Sequence, residues 1–167
     1  MSAQRVRSSG WPVKAVDPPT LTTAQWVLAA IPAVVLLIAA ILQLVSFSDF
    51  VDALSAMGLP GPTAWAVCII LAELWGAAGF FKWRLSVGFR LVSHTMAVLA
   101  AGFWFIEGLQ LVSNGLNDQL TNSAFFGRFL TQQPGWWTVV EVTILLFWVI
   151  WAVELLQDNA PTVRVTR

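Results

Sequence analysis

The chain has 167 residues and a formal net charge of zero, and 57% of its residues are apolar while only 11% are charged. An ordinary soluble domain carries roughly a quarter of charged residues, so this composition excludes most soluble folds. It also lacks the basic excess of a nucleic-acid-binding surface. A single cysteine, Cys68, excludes an internal disulfide, and no His and Cys cluster has metal-ligand spacing. The sequence therefore predicts a bilayer protein with no metal site.

Four apolar segments are long enough to cross the hydrocarbon layer, which takes about 20 helical residues. The first follows a polar N-terminal tail, 1–21, and is longer than the apolar core of a signal peptide, so we expect it to be retained. The second begins after the turn-rich residues 58–62, and the fourth begins after Pro134 and Gly135. The predicted spans of a single domain, 22–157, are 22–46, 63–81, 86–109 and 136–156, and a polar tail, 158–167, follows them.

The distribution of Lys and Arg predicts the orientation of these spans. Five basic residues lie in the two tails, and three are assigned to the second-to-third connection, namely Lys82, Arg84 and, one turn into the third span, Arg90, while the other two connections hold only Arg128. Both termini are therefore predicted to be cytoplasmic, and short connections favour antiparallel neighbours. The predicted fold class is all-α, an integral membrane four-helix up-down bundle. The long second outer loop, 110–134, is predicted to be a functional or partner surface.

Ten Trp residues accompany no Tyr. Trp rings commonly lie at the two surfaces of a bilayer, where an apolar body and a polar N–H suit the interface. The span boundaries place Trp26 and Trp83 at the inner surface, and they place four others at the outer surface: Trp65, Trp104, Trp136 and Trp137. Small residues also predict a close approach of the second and third spans: Ala72, Gly76 and Gly79 on one, and Ala97, Ala100 and Ala101 on the other.

Two ionisable side chains lie inside the apolar layer on these neighbouring spans. Glu73 and His94 are each about nine residues from the short link between the spans, so we expect them at equal depth on antiparallel helices. Because an ionisable group in the bilayer needs a partner or a role, the sequence predicts a Glu73–His94 hydrogen bond. The pair is either a structural contact between helices, or a proton relay or an anchor for a quinone carbonyl.

Four further polar side chains, from three spans, lie near the outer boundary: Gln43, Glu107, Gln110 and Glu141. They either line a small polar mouth under the long loop or reach the interface and solvate the helix ends. No nucleophile elbow, phosphate-binding glycine loop or zinc-protease helix occurs in the chain. A lone histidine gives little support for a haem site. The sequence therefore names no catalytic residue.

The first outer loop contains Phe50, Ala53, Leu54 and Gly58-Leu59-Pro60, and the second span contains Ala72-Glu73-Leu74-Trp75-Gly76-Ala77-Ala78-Gly79. This order of features resembles the DoxX and MauE-type membrane proteins, which are small four-helix bacterial proteins, over about residues 28–153. The resemblance implies a bundle of the vitamin K epoxide reductase type in the bacterial inner membrane. It also implies an association with thiol redox chemistry or quinone-linked electron transfer.

MauE-type members carry the dithiol segment Asn-Cys-Gly-Cys-Phe-Gly ahead of the last span. The corresponding segment here is Asn122-Ser123-Ala124-Phe125-Phe126-Gly127, with Ser123 and Phe125 in place of the two cysteines. Thiol–disulfide exchange needs a thiolate and a disulfide. The resemblance therefore carries no dithiol activity to this chain.

Three functions are open at this point. The first is a non-catalytic or accessory membrane subunit that binds a larger complex, expected to be a redox complex, or further copies of itself. The second is a quinone-linked oxidoreductase component, with the quinone near Glu73 and His94 or near the outer polar side chains. The third is a small proton or solute carrier, which is disfavoured because no inverted repeat and no broken span is evident. A quinone is the one cofactor that these hypotheses include.

Overall fold

The structure of the protein, a computed structural model, describes residues 15–115, 124–129 and 133–160. These residues form five α-helices: α1 (Thr23–Val45), α2 (Phe47–Ala56), α3 (Pro62–Ala78), α4 (Val87–Ser113) and α5 (Trp136–Asp158). Two short strands, β1 (Ala15–Val16) and β2 (Leu85–Ser86), pair antiparallel, with Ala15 opposite Ser86. The predicted helical character is confirmed, and the two-residue ladder is an addition to it.

Three of the helices, α1, α4 and α5, are long and apolar enough to cross a membrane. Their outward faces carry large exposed apolar side chains such as Ile41, Leu99 and Phe147, which indicates contact with lipid rather than water. The 17 residues of α3 rise about 25 Å at about 1.5 Å per residue, somewhat less than a hydrocarbon core of about 30 Å. The structure thus has three helices of membrane-spanning length beside one shorter apolar helix.

The helices pack side by side, with α3 against α1 and α4, and α5 against the same two helices. The segment before α1 contacts the end of α5, because the N–H of Thr20 donates to the carbonyl of Asn159 at 3.2 Å. Residues 15–21 and 159–160 therefore define one end of the molecule, here called the tail end. The opposite end, where residues 124–129 lie, is called the loop end. The predicted polar tail 1–21 is thus packed from residue 15 onward.

The first outer connection contains a helix that the sequence analysis missed. In α2, Phe50 and Leu54 are fully buried one turn apart, while Asp49 and Asp52 are exposed. This helix packs against α3, Phe50 also meets Trp104 of α4, and apolar residues four positions apart on one face are the pattern of an amphipathic helix. The sequence predicts a loop here, because two apolar residues in so short a segment are a weak periodic signal.

The close approach of α3 and α4 depends on glycine. A Cβ atom at Gly76 would lie 2.7 Å from the backbone nitrogen of Ala97, and one at Gly79 would lie 2.5 Å from Oγ of Ser93. Both distances are too short for a real side chain, so the two helices can pack at this distance only with glycine at these positions. The predicted small-residue contact between these helices is therefore present.

The helix α3 ends at Ala78, three residues before the end of the predicted span, 63–81, and Ser93 of α4 caps it there. The hydroxyl of Ser93 accepts the N–H of Gly79 at 2.7 Å and lies 2.6 Å from the carbonyl of Trp75 and 3.0 Å from that of Gly76. Carbonyls in the last turn of a helix have no partner within the helix. The side chain of a neighbouring helix supplies one here, and the chain leaves the helical path after Ala78.

Replacement of Gly76 by Ala is expected to lower the free energy of unfolding by about 1–3 kcal/mol, because the added methyl group meets the backbone of Ala97. Gly102 in α4 is the matched control, since a Cβ there meets nothing within 4 Å. Gly102→Ala should leave the free energy unchanged or raise it by up to about 1 kcal/mol. SDS titration of the purified protein in mixed micelles measures both values. Equal values for the two variants would contradict the close approach.

A proline in the middle of α1 is compensated from another helix. Pro32 has no N–H, so the carbonyl of Leu28, four residues earlier, loses its helical hydrogen bond. The indole Nε1 of Trp148 in α5 donates to this carbonyl at 3.1 Å. In an apolar layer no water is available to take that role. The carbonyl that Pro32 leaves unpaired in α1 and the indole of Trp148 in α5 therefore form one contact between these helices.

Trp148→Phe is expected to lower the free energy of unfolding by about 1 kcal/mol, since it removes the donor and leaves the carbonyl of Leu28 unpaired. In a Pro32→Ala background the same substitution should cost less, because the restored backbone N–H satisfies that carbonyl. A double-mutant cycle in mixed micelles measures the coupling. The same cost in both backgrounds would show that the indole contributes through packing alone.

Candidate functional site

Glu73 lies at the centre of a buried polar cluster. Its side chain is fully buried in α3, and Oε1 accepts hydrogen bonds from Nε1 of Trp104 at 2.7 Å and from Nε2 of Gln43 at 3.3 Å. Trp104 belongs to α4 and Gln43 to α1. One carboxylate oxygen therefore joins three helices, and the other oxygen, Oε2, has no hydrogen-bond partner among the described residues.

The same glutamine also holds the segment at the loop end. Nε2 of Gln43 donates to the backbone carbonyl of Phe125 at 2.9 Å. Two residues on, Gly127 has φ +59, and a Cβ there would lie 2.5 Å from Oγ of Ser46. Arg128 then pairs with Asp49 of α2 at 3.3 Å. Residues 124–129 are therefore attached to α1 and α2 by a buried amide, a close backbone approach and an ion pair.

Aromatic rings surround this cluster. The ring of Phe125 meets Trp104 edge-on at 5.1 Å between centroids, and Phe50 of α2 lies 6.2 Å from the same indole. Trp104 is 3% exposed, Phe125 is 8% exposed and Phe50 is fully buried. The donors to Glu73 thus come from the protein itself, and rings from α2, α4 and the loop segment cover them. The N–H groups of Gln43 and Trp104 are all used within the protein, so this cluster offers no free N–H group to a quinone carbonyl.

The predicted hydrogen bond between Glu73 and His94 is not formed. Gly76 lies against Ala97 and Gly79 against Ser93, so Glu73 is level with residues 100–101 of α4. His94 is about six residues from that level, or about 9 Å along the helix axis. The prediction treated the link as a symmetric hairpin, whereas residues 79–86 extend beyond α3. The first turns of α4 lie beside this extension.

His94 lies towards the tail end in a second polar group. It is 2% exposed, its ring centroid is 5.0 Å from that of Phe80, and its Nε2 has no hydrogen-bond partner in the part of the chain that the structure describes. One turn earlier, Arg90 is 8% exposed and donates to the carbonyls of Gly79 at 3.2 Å and Trp83 at 3.0 Å. The sequence analysis counted Arg90 as an ordinary flanking cation and missed its burial.

The four outer polar residues do not form one cluster. Gln43 is buried and bonds to Glu73 and Phe125, and Glu107 is 7% exposed in α4. Gln110 and Glu141 are exposed on α4 and α5. Two of the four predicted residues, Gln43 and Glu107, are therefore inside the protein, and the other two are at its surface. The structure therefore joins one member of this group, Gln43, to one member of the predicted pair, Glu73.

Trp104 is the functional contact that sequence reasoning missed, because the prediction placed it at the outer membrane surface. A signal was present: Trp104 follows Ala97, Ala100 and Ala101 at helical spacing, on the face that packs against α3. Of the two positions that replace the dithiol, Phe125 packs inside the cluster and Ser123 lies outside the described residues. Trp136 and Trp137 are both exposed at the start of α5, at the loop end.

No family model, curated protein or solved structure matches the chain.

Gln43→Ala is expected to lower the free energy of unfolding by about 1–3 kcal/mol, because it leaves the carbonyl of Phe125 without a donor inside the protein. Hydrogen exchange of the backbone amides of residues 126–128 should also become faster. Gln110→Ala is the control, since this exposed glutamine of α4 should change stability by less than about 0.5 kcal/mol. Unchanged exchange in Gln43→Ala would mean that the loop segment is held by other contacts.

Proposed function

We propose that the protein is a non-catalytic, accessory subunit of a larger complex in the bacterial inner membrane. In this proposal α1, α3, α4 and α5 cross the bilayer as an up-down four-helix bundle with both termini in the cytoplasm. The sequence resemblance to DoxX and MauE-type proteins, without their dithiol, favours a redox complex as the partner. The loop end then faces outward, and residues 124–129 are part of the contact surface.

The observation that supports this proposal is that the hydrogen bonds of Glu73 are made with side chains of the protein. An intramembrane acid is a candidate for proton or electron-transfer chemistry by default. Here Oε1 accepts two side-chain donors of the protein, at 2.7 and 3.3 Å, under a cover of aromatic rings. Such a carboxyl group supports the packing of three helices and the attachment of the loop segment. In this proposal its role is to hold the helices and the loop segment together.

The loop segment has the properties of a fixed contact surface. Its backbone is held by Gln43 and by the close approach of Gly127 to Ser46, while the side chain of Arg128 is 62% exposed and Phe129 is 49% exposed. A rigid loop loses little conformational entropy when it binds. Arg and aromatic side chains are also the types that contribute most to binding at protein interfaces.

Native mass spectrometry of the protein extracted from its own membranes tests the proposal. We expect a protein partner in fixed stoichiometry, and we expect Arg128→Gln to weaken its retention about tenfold, which corresponds to about 1.4 kcal/mol. Arg84→Gln is the matched control. Arg84 pairs with Asp17 at 3.0 Å at the tail end and is 70% exposed, so its loss should leave retention unchanged.

Three results would contradict the accessory role or its contact surface. A chain without any protein partner would remove the complex. Equal retention by Arg128→Gln and Arg84→Gln would show that the loop end is not the contact. A bound quinone in place of a protein partner would favour the quinone-linked component.

A further inference from the structure

A cavity of about 250 Å³ lies at the tail end, between residues 16–19, the start of α4 and the end of α5. Most of its lining is apolar. Two of these residues, Val87 and Leu91 of α4, are also about half exposed on the outside of the helix. The cavity therefore continues into an apolar outer surface, which is the side from which a lipid-soluble molecule would enter.

Four polar residues line the cavity. Arg90 and His94 come from α4, Gln157 comes from α5 and Asp17 comes from the N-terminal segment. Asp17 is paired with the exposed Arg84 at 3.0 Å. Within residues 15–115, 124–129 and 133–160, no carboxylate lies within ion-pair distance of Arg90. The cavity thus holds a nearly buried guanidinium group whose positive charge is met by carbonyl oxygens alone.

The guanidinium group has hydrogen-bonding capacity left. It has five N–H groups, and the structure shows two bonds, to the carbonyls of Gly79 and Trp83. These bonds fix its plane while further N–H groups remain. Burial of a cation without a counter-charge is costly. An anion in the cavity would lower that cost.

His94 is the second, independent indication. It lines the same cavity at 2% exposure, and its Nε2 is buried and has no hydrogen-bond partner in the described residues. A buried polar atom that lacks a partner needs an explanation, and an absent ligand is one. Arg90 and His94 are one helical turn apart on α4, so one head group can meet both side chains.

We propose that this cavity binds the acidic head group of a single-chain amphiphile, a carboxylate or a phosphate, through Arg90 and His94. Guanidinium geometry matches the paired oxygens of both anions. The chain would leave past Val87 and Leu91 towards the lipid. A cavity of about 250 Å³ is below the usual range for drug-sized ligands, about 300–1,000 Å³, so it suits a head group and the start of one chain. This site does not depend on the accessory role proposed above.

The test uses the full-length protein in nanodiscs of phosphatidylcholine, titrated with laurate, dodecyl phosphate and the neutral dodecanol. Native mass spectrometry counts the bound molecules. We expect one acidic molecule per chain, bound at least about tenfold more tightly than dodecanol, and we expect Arg90→Gln to remove that difference. Tighter binding of laurate would point to a free fatty acid, and tighter binding of dodecyl phosphate would point to a phospholipid head group.

Arg90→Gln also removes hydrogen bonds to two carbonyls, so a second variant keeps the test valid if it does not fold. Val87→Trp fills the cavity from a residue that is 48% exposed, and Ile106→Trp is its control, at 53% exposure on the same helix and outside the cavity. Val87→Trp should reduce acid binding about tenfold or more, and Ile106→Trp should not. Equal binding of acid and alcohol by the natural chain, or acid binding unchanged in Val87→Trp, would overturn the proposal.

Discussion

The structure depends on one constraint: a carbonyl group freed from a helix in an apolar layer must find a donor inside the protein. Carbonyls without a helical hydrogen bond occur at four places, two in helices and two in connections, and side chains from other elements lie against them. Trp148 donates to the carbonyl that Pro32 leaves unpaired. Ser93 lies at the last carbonyls of α3, Arg90 donates to the connection after it, and Gln43 donates to the loop segment. Each interruption of a helix is thus also a contact between elements, and the polar side chains of the interior hold the helices in place.

The glycine contact between α3 and α4 determines where the remaining polar groups lie. Because Gly76 meets Ala97, Trp104 reaches Glu73 while His94 is carried about 9 Å towards the tail end. A different register would pair the two ionisable side chains and leave the indole without an acceptor. The two polar sites are therefore separate because of a packing distance, although both come from the same pair of helices.

The sequence was sufficient for what depends on the length and period of apolar segments. The three long helices, the antiparallel neighbours and the small-residue contact all follow from hydropathy and spacing. Contacts between side chains of different helices were harder to predict. A register error of six residues moves a side chain by more than one and a half turns and changes its neighbours. The burial of Arg90 has the same origin: its position near a span end suggested solvent, and the extension of residues 79–86 beyond α3 covers it. The helix α2 is not predicted, because two buried residues are a weak periodic signal.

The two polar sites also differ in which groups form hydrogen bonds with the charged side chain, and this difference indicates different roles. Around Glu73, Oε1 has two donors from two helices, while Oε2 is buried and has no partner among the described residues, so a ligand could reach it only by displacing the side chains packed around it. Around Arg90 the bonds run to carbonyls of one connection, and a ligand can add to them without displacing any. A molecule that enters from the lipid can therefore reach the arginine with the fold intact. The site at the tail end is thus accessible to a ligand from the outer surface of α4, while the cluster near the loop end is enclosed by the packing of the protein.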